Sequence, residues 1–330
     1  MPPNIATPVT LRARLRASVR RRVAPPIVVL AYHRVAPHAG RDPNRLVTCP
    51  ANFTAQLSWL SRNACVLRTR QFVNAVAHPS RGLFSFDGGR PRVLITFDDG
   101  YADNLHHGLP ILQRHGCEAI VFATSGLIGS GELFWWDALE QTVFSNASTV
   151  EGWQLPDGTQ VPAVDDPQRA YELLHAALKS LGDGDRPAAL AGLTRQGAAS
   201  DPADVDARPM TWDELRAWVQ AGMAVGGHTR THPILSRLEA SALHDETAGC
   251  KQELEDNLGL SVGTFAYPYG SRDTFDERCE KAVRDAGFRC AFANRSGNVR
   301  WARSPYALPR YLVRDWSADE FASRFQEWCR

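Results

Sequence analysis

A chain of 330 residues is longer than most single domains, yet it suits one elaborated α/β barrel and can bury a large core. Its composition, 44% hydrophobic and 22% charged, is that of a soluble globular protein, and a formal net charge of +1 supplies no global field to hold nucleic acid. The seven cysteines, Cys49, Cys65, Cys117, Cys250, Cys279, Cys290 and Cys329, form no C-x-x-C pair and no zinc-finger spacing, so they read as reduced packing thiols. No apolar run approaches the roughly 18 to 20 residues of a membrane span. The N-terminus also lacks the apolar core of a secretory signal, and the expected location is cytoplasmic.

The first segment is basic. In "TLRARLRASVRRRV", Leu11, Leu15 and Val19 recur every four residues among arginines, and the first acid is Asp42. That pattern suits either an amphipathic helix lying on the anionic inner face of a membrane or a solvated basic tail. After Pro25 and Pro26, the β-branched run "IVVLAYHRV" reads as a buried parallel strand that ends near His33. A helix follows over residues 52–63, with Phe53, Leu57 and Leu60 at helical spacing, then a short strand "CVLRT". The strand "RVLITF" leads into Asp98, a helical stretch closes at Gly116, and the strand "EAIVFA" comes next.

The β-α alternation resumes at "TWDELRAWVQAG", where Thr211 and Glu214 form a capping box. It continues through "MAVGG", the helical residues 237–259, "GTFAYP", the helical residues 274–287, "FRCAFA" and a last helix "SADEFASRFQEWCR". Repeated β-α units with parallel strands favour a barrel or a doubly wound sheet. Residues 130–209 break the rhythm with "GELFWWDALE", a turn-rich "LPDGTQV" and a Gly/Ala/Asp-rich stretch. The expected division is a basic segment 1–24 and one barrel domain 25–330 carrying an insertion at about 130–209 that lies over one end of the core.

Unusual polar residues stand where the expected strands end: His33, Asp98 and Asp99, then His228 and His232 in "GGHTRTHP", then "YPYG". In parallel β-α folds the carboxyl ends of the strands gather at one face, where sites form. His228 and His232 are spaced H-x-x-x-H, and one added carboxylate makes a facial triad suited to Zn2+ or another first-row divalent ion. A zinc peptidase helix would carry Glu after the first His; Thr229 stands there and Pro233 follows the second, which excludes that reading. The adjacent acids Asp98 and Asp99 could be a turn and a helix cap. They could equally divide a task, because successive side chains at a strand end point in different directions, one to a metal and one to substrate.

"TFDDG", "HTRTHP" and "FAYPYG" together resemble the motifs of the polysaccharide deacetylase family, the NodB-homology or carbohydrate esterase family 4 domain. The resemblance implies a distorted (β/α)7 TIM-like barrel and metal-dependent hydrolysis of N-acetyl groups on amino sugars. By position it implies Asp98 as general base, Asp99, His228 and His232 as metal ligands, and the backbone N–H of Tyr269 at the oxyanion. The expected cofactor is a divalent ion, Zn2+ first and Co2+, Ni2+ or Fe2+ as alternatives. A branch of the family with "YHxV" near its start resembles "AYHRV", which makes His33 the candidate acid.

Two departures stand out. The arginine that most members carry two residues before the third-motif proline is Ala266, and the C-terminal Leu-x-His is replaced by "YALPRYLV", which offers Arg310. The expected partner is a carbohydrate bearing N-acetyl amino sugars, polymeric or lipid-linked, in exopolysaccharide or cell-envelope biosynthesis. The alternatives are a deacylase of another amide or small amino sugar, and a non-catalytic carbohydrate-binding relative. Trp135 and Trp136 suit either sugar stacking or an anchor for the insertion.

Overall fold

The computed structural model describes residues 27–37, 42–77, 90–146, 152–155, 158–162, 166–182, 184–196, 206–299 and 304–329. The basic segment expected over residues 1–24 lies outside them. Thirteen strands occur among the described residues: β1 (Ile27–Tyr32), β2 (Arg34–Val35), β3 (Val47–Thr48), β4 (Cys65–Val66), β5 (Arg92–Phe97), β6 (Ala119–Ala123), β7 (Gly152–Gln154), β8 (Gln160–Pro162), β9 (Ala224–Gly227), β10 (Thr264–Ala266), β11 (Cys290–Ala293), β12 (Leu308–Pro309) and β13 (Tyr311–Leu312).

The strands β1, β5, β6, β9, β10 and β11 follow one another in chain order, every pairing parallel, as right-handed β-α winding produces. The ring is completed by an interrupted strand. β12 pairs with β11 and β13 pairs with β1, and only Arg310 separates the two. Six continuous strands and this split seventh make the distorted (β/α)7 barrel that the motif resemblance implies. Sequence periodicity did not reveal the split strand, because Pro309 and Arg310 interrupt a run that otherwise reads apolar.

Alternation along the strands sorts the core into two shells. Val28, Leu30, Val93, Ile95, Phe97, Ala119 and Val121 face outward into the layer packed against the helices. Ile27, Val29, Leu94, Ile120, Phe122, Ala266, Cys290, Phe292 and Leu308 fill the barrel interior. The outer layer shows why its helices form where they do. The helix Pro50–Asn63 has proline in its first turn, and its N-cap Cys49 accepts from the Asn52 N–H; Phe53, Leu57 and Leu60 are buried on one face. The helix Trp212–Gln220 carries the reciprocal Thr211/Glu214 capping box. The helix Cys250–Leu258 ends on Gly259 in the left-handed conformation at φ 65°.

Between β6 and β9 the chain builds a satellite around its own apolar cluster. The helices Trp135–Asn146, Pro167–Ser180 and Arg186–Gln196 and the antiparallel hairpin β7–β8 enclose Leu139, Val143, Trp153, Tyr171, Leu174, Leu178 and Leu193. It is pinned to the barrel at one end. The Trp136 indole donates to Tyr101 Oη at 2.8 Å, Tyr101 donates to Asp137 at 2.7 Å, and Arg237 reaches the carbonyl of Lys179 at 3.1 Å. No helix among the described residues is long and apolar enough to cross a membrane.

Candidate active site

Strand parity places the site. Interior positions recur every second residue, so the residues that continue the inward rows past the strand ends are His33 after β1, Asp98 after β5, His228 after β9 and Asn294 after β11. Arg310 continues the row of Leu308. These side chains converge at the carboxyl mouth of the barrel.

Asp99 would point away from that mouth if the strand simply continued. Its φ of 73° turns the chain into the left-handed region, and its carboxylate Oδ1 comes to 3.4 Å from His228 Nε2 and 3.5 Å from His232 Nε2. Gly100 follows at φ 86°, where an added Cβ would stand 3.3 Å from the Ala123 Cα, so the turn needs glycine for conformation and for space. Of the five described non-glycine residues with positive φ, four are Asp99, Thr229, His232 and Tyr269, all at this mouth. Such conformations cost on the order of 1 kcal/mol or more each and persist where surrounding contacts enforce them.

Asp99, His228 and His232 each offer a ligand atom within 4.8 Å of the others, and all three residues are buried. His228 Nδ1 lies 2.7 Å from the Ala266 carbonyl, so that nitrogen carries a proton and Nε2 is the ring atom presented to Asp99. His232 is set differently. Its backbone N–H donates to Thr229 Oγ1 at 3.0 Å, its Nδ1 finds no hydrogen-bond partner among the described residues, and its ring packs on Trp136 at 4.7 Å and Tyr269 at 4.9 Å. Thr229 Oγ1 in turn donates to the His228 carbonyl, which ties the two histidines together. Burial pushes the His232 imidazole down to about 3, in the neutral form that a metal ligand needs. Burial acts on His228 in the same sense, but its hydrogen bond to Asp99 and the charges of Asp98 and Asp99 outweigh it and raise that ring. Two imidazoles and one carboxylate, dry and convergent, fit a divalent first-row cation.

Asp98 has a separate environment. Arg310 holds it with two parallel bonds, Nη1 to Oδ1 at 2.6 Å and Nη2 to Oδ2 at 2.8 Å, and both residues are 1% exposed. Burial works to raise the Asp98 carboxyl; the Arg310, His228 and His33 charges more than offset it and hold the group well below the ordinary carboxylate range. Arg310 Nη1 also reaches Thr96 Oγ1 at 3.3 Å, and Nη2 donates to Asn294 Oδ1 at 2.8 Å. Asn294 Nδ2 passes the chain of bonds on to the Tyr269 carbonyl at 3.1 Å.

Arg310 thus carries the positive charge that the sequence lacks at Ala266. No role for it follows from the sequence, where it stands in place of an expected histidine. The one available signal was a charged residue inside an apolar, strand-like run, which in a barrel must be paired.

His33 Nε2 lies 3.9 Å from Asp98 Oδ2, with Nδ1 buried and unpartnered among the described residues. Burial holds its ring toward the neutral form against the pull of Asp99 and Asp98. Tyr269 sits at φ 60° on the loop after β10, its ring under Lys179 Nζ at 4.3 Å. Trp136 is 5% exposed, stacked on Phe134 and against His232, while Trp135 stacks on His175 at 4.7 Å. The tryptophan pair is therefore the insertion's packing anchor, and Trp136 has no free face for a sugar.

The family model described as polysaccharide deacetylase matches residues 87–291. The chain belongs to the polysaccharide deacetylase family. Polysaccharide deacetylases hydrolyse carbon–nitrogen bonds other than peptide bonds, and this chain is a hydrolase of that class. The Bacillus subtilis (strain 168) protein YxkH, which bears a polysaccharide deacetylase name, is 29% identical over 285 residues, or 86% of this chain and 70% of that protein. Two solved structures show the same barrel. The Streptococcus pyogenes deacetylase PplD in complex with acetate has a TM-score of 0.62 at 16% identity, covering 93% of this chain and 99% of that one. IcaB from Ammonifex degensii has a TM-score of 0.58 at 19% identity, covering 92% and 97%.

Proposed function

We propose that this deacetylase removes N-acetyl groups from amino sugars of a polysaccharide or lipid-linked saccharide precursor, with Asp98 as general base and a divalent cation held by Asp99, His228 and His232. The observation that carries the reading is the division between the two adjacent acids: Asp99 faces two histidines, and Asp98 faces a guanidinium. A cation bound by the triad would supply Lewis acidity, polarising the acetamide carbonyl and acidifying water.

The protein groups divide the remaining work. Arg310 fixes the Asp98 carboxylate in position and keeps it ionised, while lone pairs beyond its two bonds stay open to accept a proton from the attacking water. His33 Nε2, on the same side of Asp98, gives a proton to the departing amine nitrogen. Because burial favours the neutral ring, the proton that His33 delivers is one that Asp98 has collected. The Tyr269 N–H, on a loop held by Asn294, faces the developing oxyanion; one such donor is worth about 3 to 4 kcal/mol. The non-catalytic carbohydrate-binding alternative rests on Ala266 and on the absent C-terminal histidine; Arg310 on Asp98 and His33 at 3.9 Å from it support the catalytic reading over that one.

The test is product stoichiometry on N-acetylated amino-sugar oligomers. Metal-reconstituted protein should release acetate and free amine one to one, and chelation should stop it until Zn2+ or Co2+ is restored. Acetate release that survives exhaustive chelation would overturn the reading.

A further inference from the structure

The two histidines of the triad stand on one tight loop whose backbone is strained. Thr229 and His232 both take left-handed conformations, at φ 67° and 63°, that non-glycine residues disfavour. Between them, the backbone N–H groups of Arg230 and Thr231 converge on a single oxygen. It is Glu246 Oε2, which accepts from Arg230 at 2.7 Å and from Thr231 at 3.0 Å, while Oε1 accepts from the Thr231 hydroxyl at 2.7 Å. Successive backbone N–H groups aimed at one point make an anion-binding concavity, and here a side chain of the same protein fills it.

Glu246 reaches the loop from a π-helical turn, Asp245–Gly249, set between the helices Ala240–His244 and Cys250–Leu258. Single π turns inside helices occur often at functional sites. Gly249 leaves room for the loop, since an added Cβ would stand 3.0 Å from Arg230 Cδ. The Arg230 guanidinium continues past it to Glu253, 2.7 Å from Nε, and Glu253 also accepts from Ser125 Oγ at 2.6 Å. The residues after β6 close on the loop from the other side. The Ser125 N–H donates to the Thr229 carbonyl at 3.0 Å and the Gly126 N–H to the Arg230 carbonyl at 2.9 Å, an oxygen that a Cβ at Gly126 would meet at 2.7 Å. Of these contacts, the one from Glu246 binds the backbone of the two residues directly before His232.

We propose that Glu246 is a positioning residue for the metal centre, holding the loop from His228 to His232 in its strained turn so that both Nε2 atoms face Asp99 before a cation arrives. The inference rests on the metal-centre reading above and adds to it a residue outside the triad. Its effect is on affinity: with the loop released, the left-handed conformations at Thr229 and His232 would have to be regained on binding, which weakens it. Removing partners that orient metal ligands typically lowers metal affinity by about 10- to 100-fold, and Glu246, which acts through the loop backbone, belongs at the lower end of that range.

Titration of the full chain, stripped of metal, with Zn2+ against a competing chromophoric chelator reads the affinity directly. Glu246→Ala should bind about tenfold more weakly than the wild-type protein. Glu246→Gln should recover most of that loss, because its amide oxygen still accepts both N–H groups. Thr231→Val, at an exposed position, removes only the hydroxyl contact, leaves the helix intact, and should weaken binding about threefold. Glu255→Ala controls for a merely structural role. Glu255 lies on the adjoining helix and accepts from the Val262 N–H at 2.8 Å, so its loss should lower the urea midpoint while Zn2+ affinity stays at the wild-type value. Wild-type affinity in folded Glu246→Ala or in Thr231→Val, or an equal loss of affinity in Glu255→Ala, would overturn the role given to Glu246 alone. A wild-type chain that binds no Zn2+ would overturn the metal-centre reading, and this inference with it.

Discussion

Replacing Arg310 with methionine removes a guanidinium that meets both oxygens of Asp98 at 2.6 and 2.8 Å in a place with almost no solvent. Removing one partner of a buried ion pair leaves the other charge bare and typically costs about 3 to 5 kcal/mol. Asn294 Oδ1 and Thr96 Oγ1 lose a donor at the same time. The pH dependence follows from Asp98. Its folded-state carboxyl lies below the ordinary value, so in the wild-type protein it contributes stability above the unfolded-state value, lost as the pH falls through the folded one.

In Arg310→Met, burial acts without its main opponent and the carboxyl rises. The deficit should therefore be largest at neutral pH and shrink toward acid, where protonation removes the bare charge. Urea unfolding of metal-free protein at pH 7 and pH 4.5 reads both quantities, and Asp98→Asn combined with Arg310→Met should cost less than the sum of the two. Turnover should fall by about a hundredfold, the scale of losing the placement of a catalytic group. An unchanged urea midpoint at pH 7, or a deficit that does not vary with pH, would refute the role given to Arg310.

Two further substitutions probe neighbouring parts of the site. His33→Ala should lower turnover by about a hundredfold or more, as loss of a general acid does, with metal content unchanged by elemental analysis; wild-type turnover would return His33 to a packing role. Trp136→Ala should destabilise the protein by about 3 to 5 kcal/mol and weaken metal affinity, because the indole packs on the His232 ring and bonds Tyr101. A metal titration indistinguishable from wild type would separate the insertion from the metal centre.

The barrel was legible because its strands are continuous apolar runs that stop at polar residues, and its helices carry caps. Parity then explains why those polar residues meet: His33, Asp98 and His228 each lie two positions beyond an inward-facing residue. What the sequence hid was non-local or non-periodic. Asp99 and His232 reach the triad through left-handed backbone turns that no propensity for aspartate or histidine announces. Arg310 lies 212 residues from its partner, in the one-residue break between β12 and β13. The ambiguity over the two tryptophans was one of partner, and only packing against His232 and His175 settled it.

The central claim is that Asp98 handles the proton and the triad holds the metal. Parallel measurement of metal content and acetate release in Asp98→Asn and His228→Ala tests it most directly. The account predicts that Asp98→Asn keeps its metal and loses turnover, whereas His228→Ala loses both. Full turnover in metal-loaded Asp98→Asn, or a full complement of metal in His228→Ala, would contradict it.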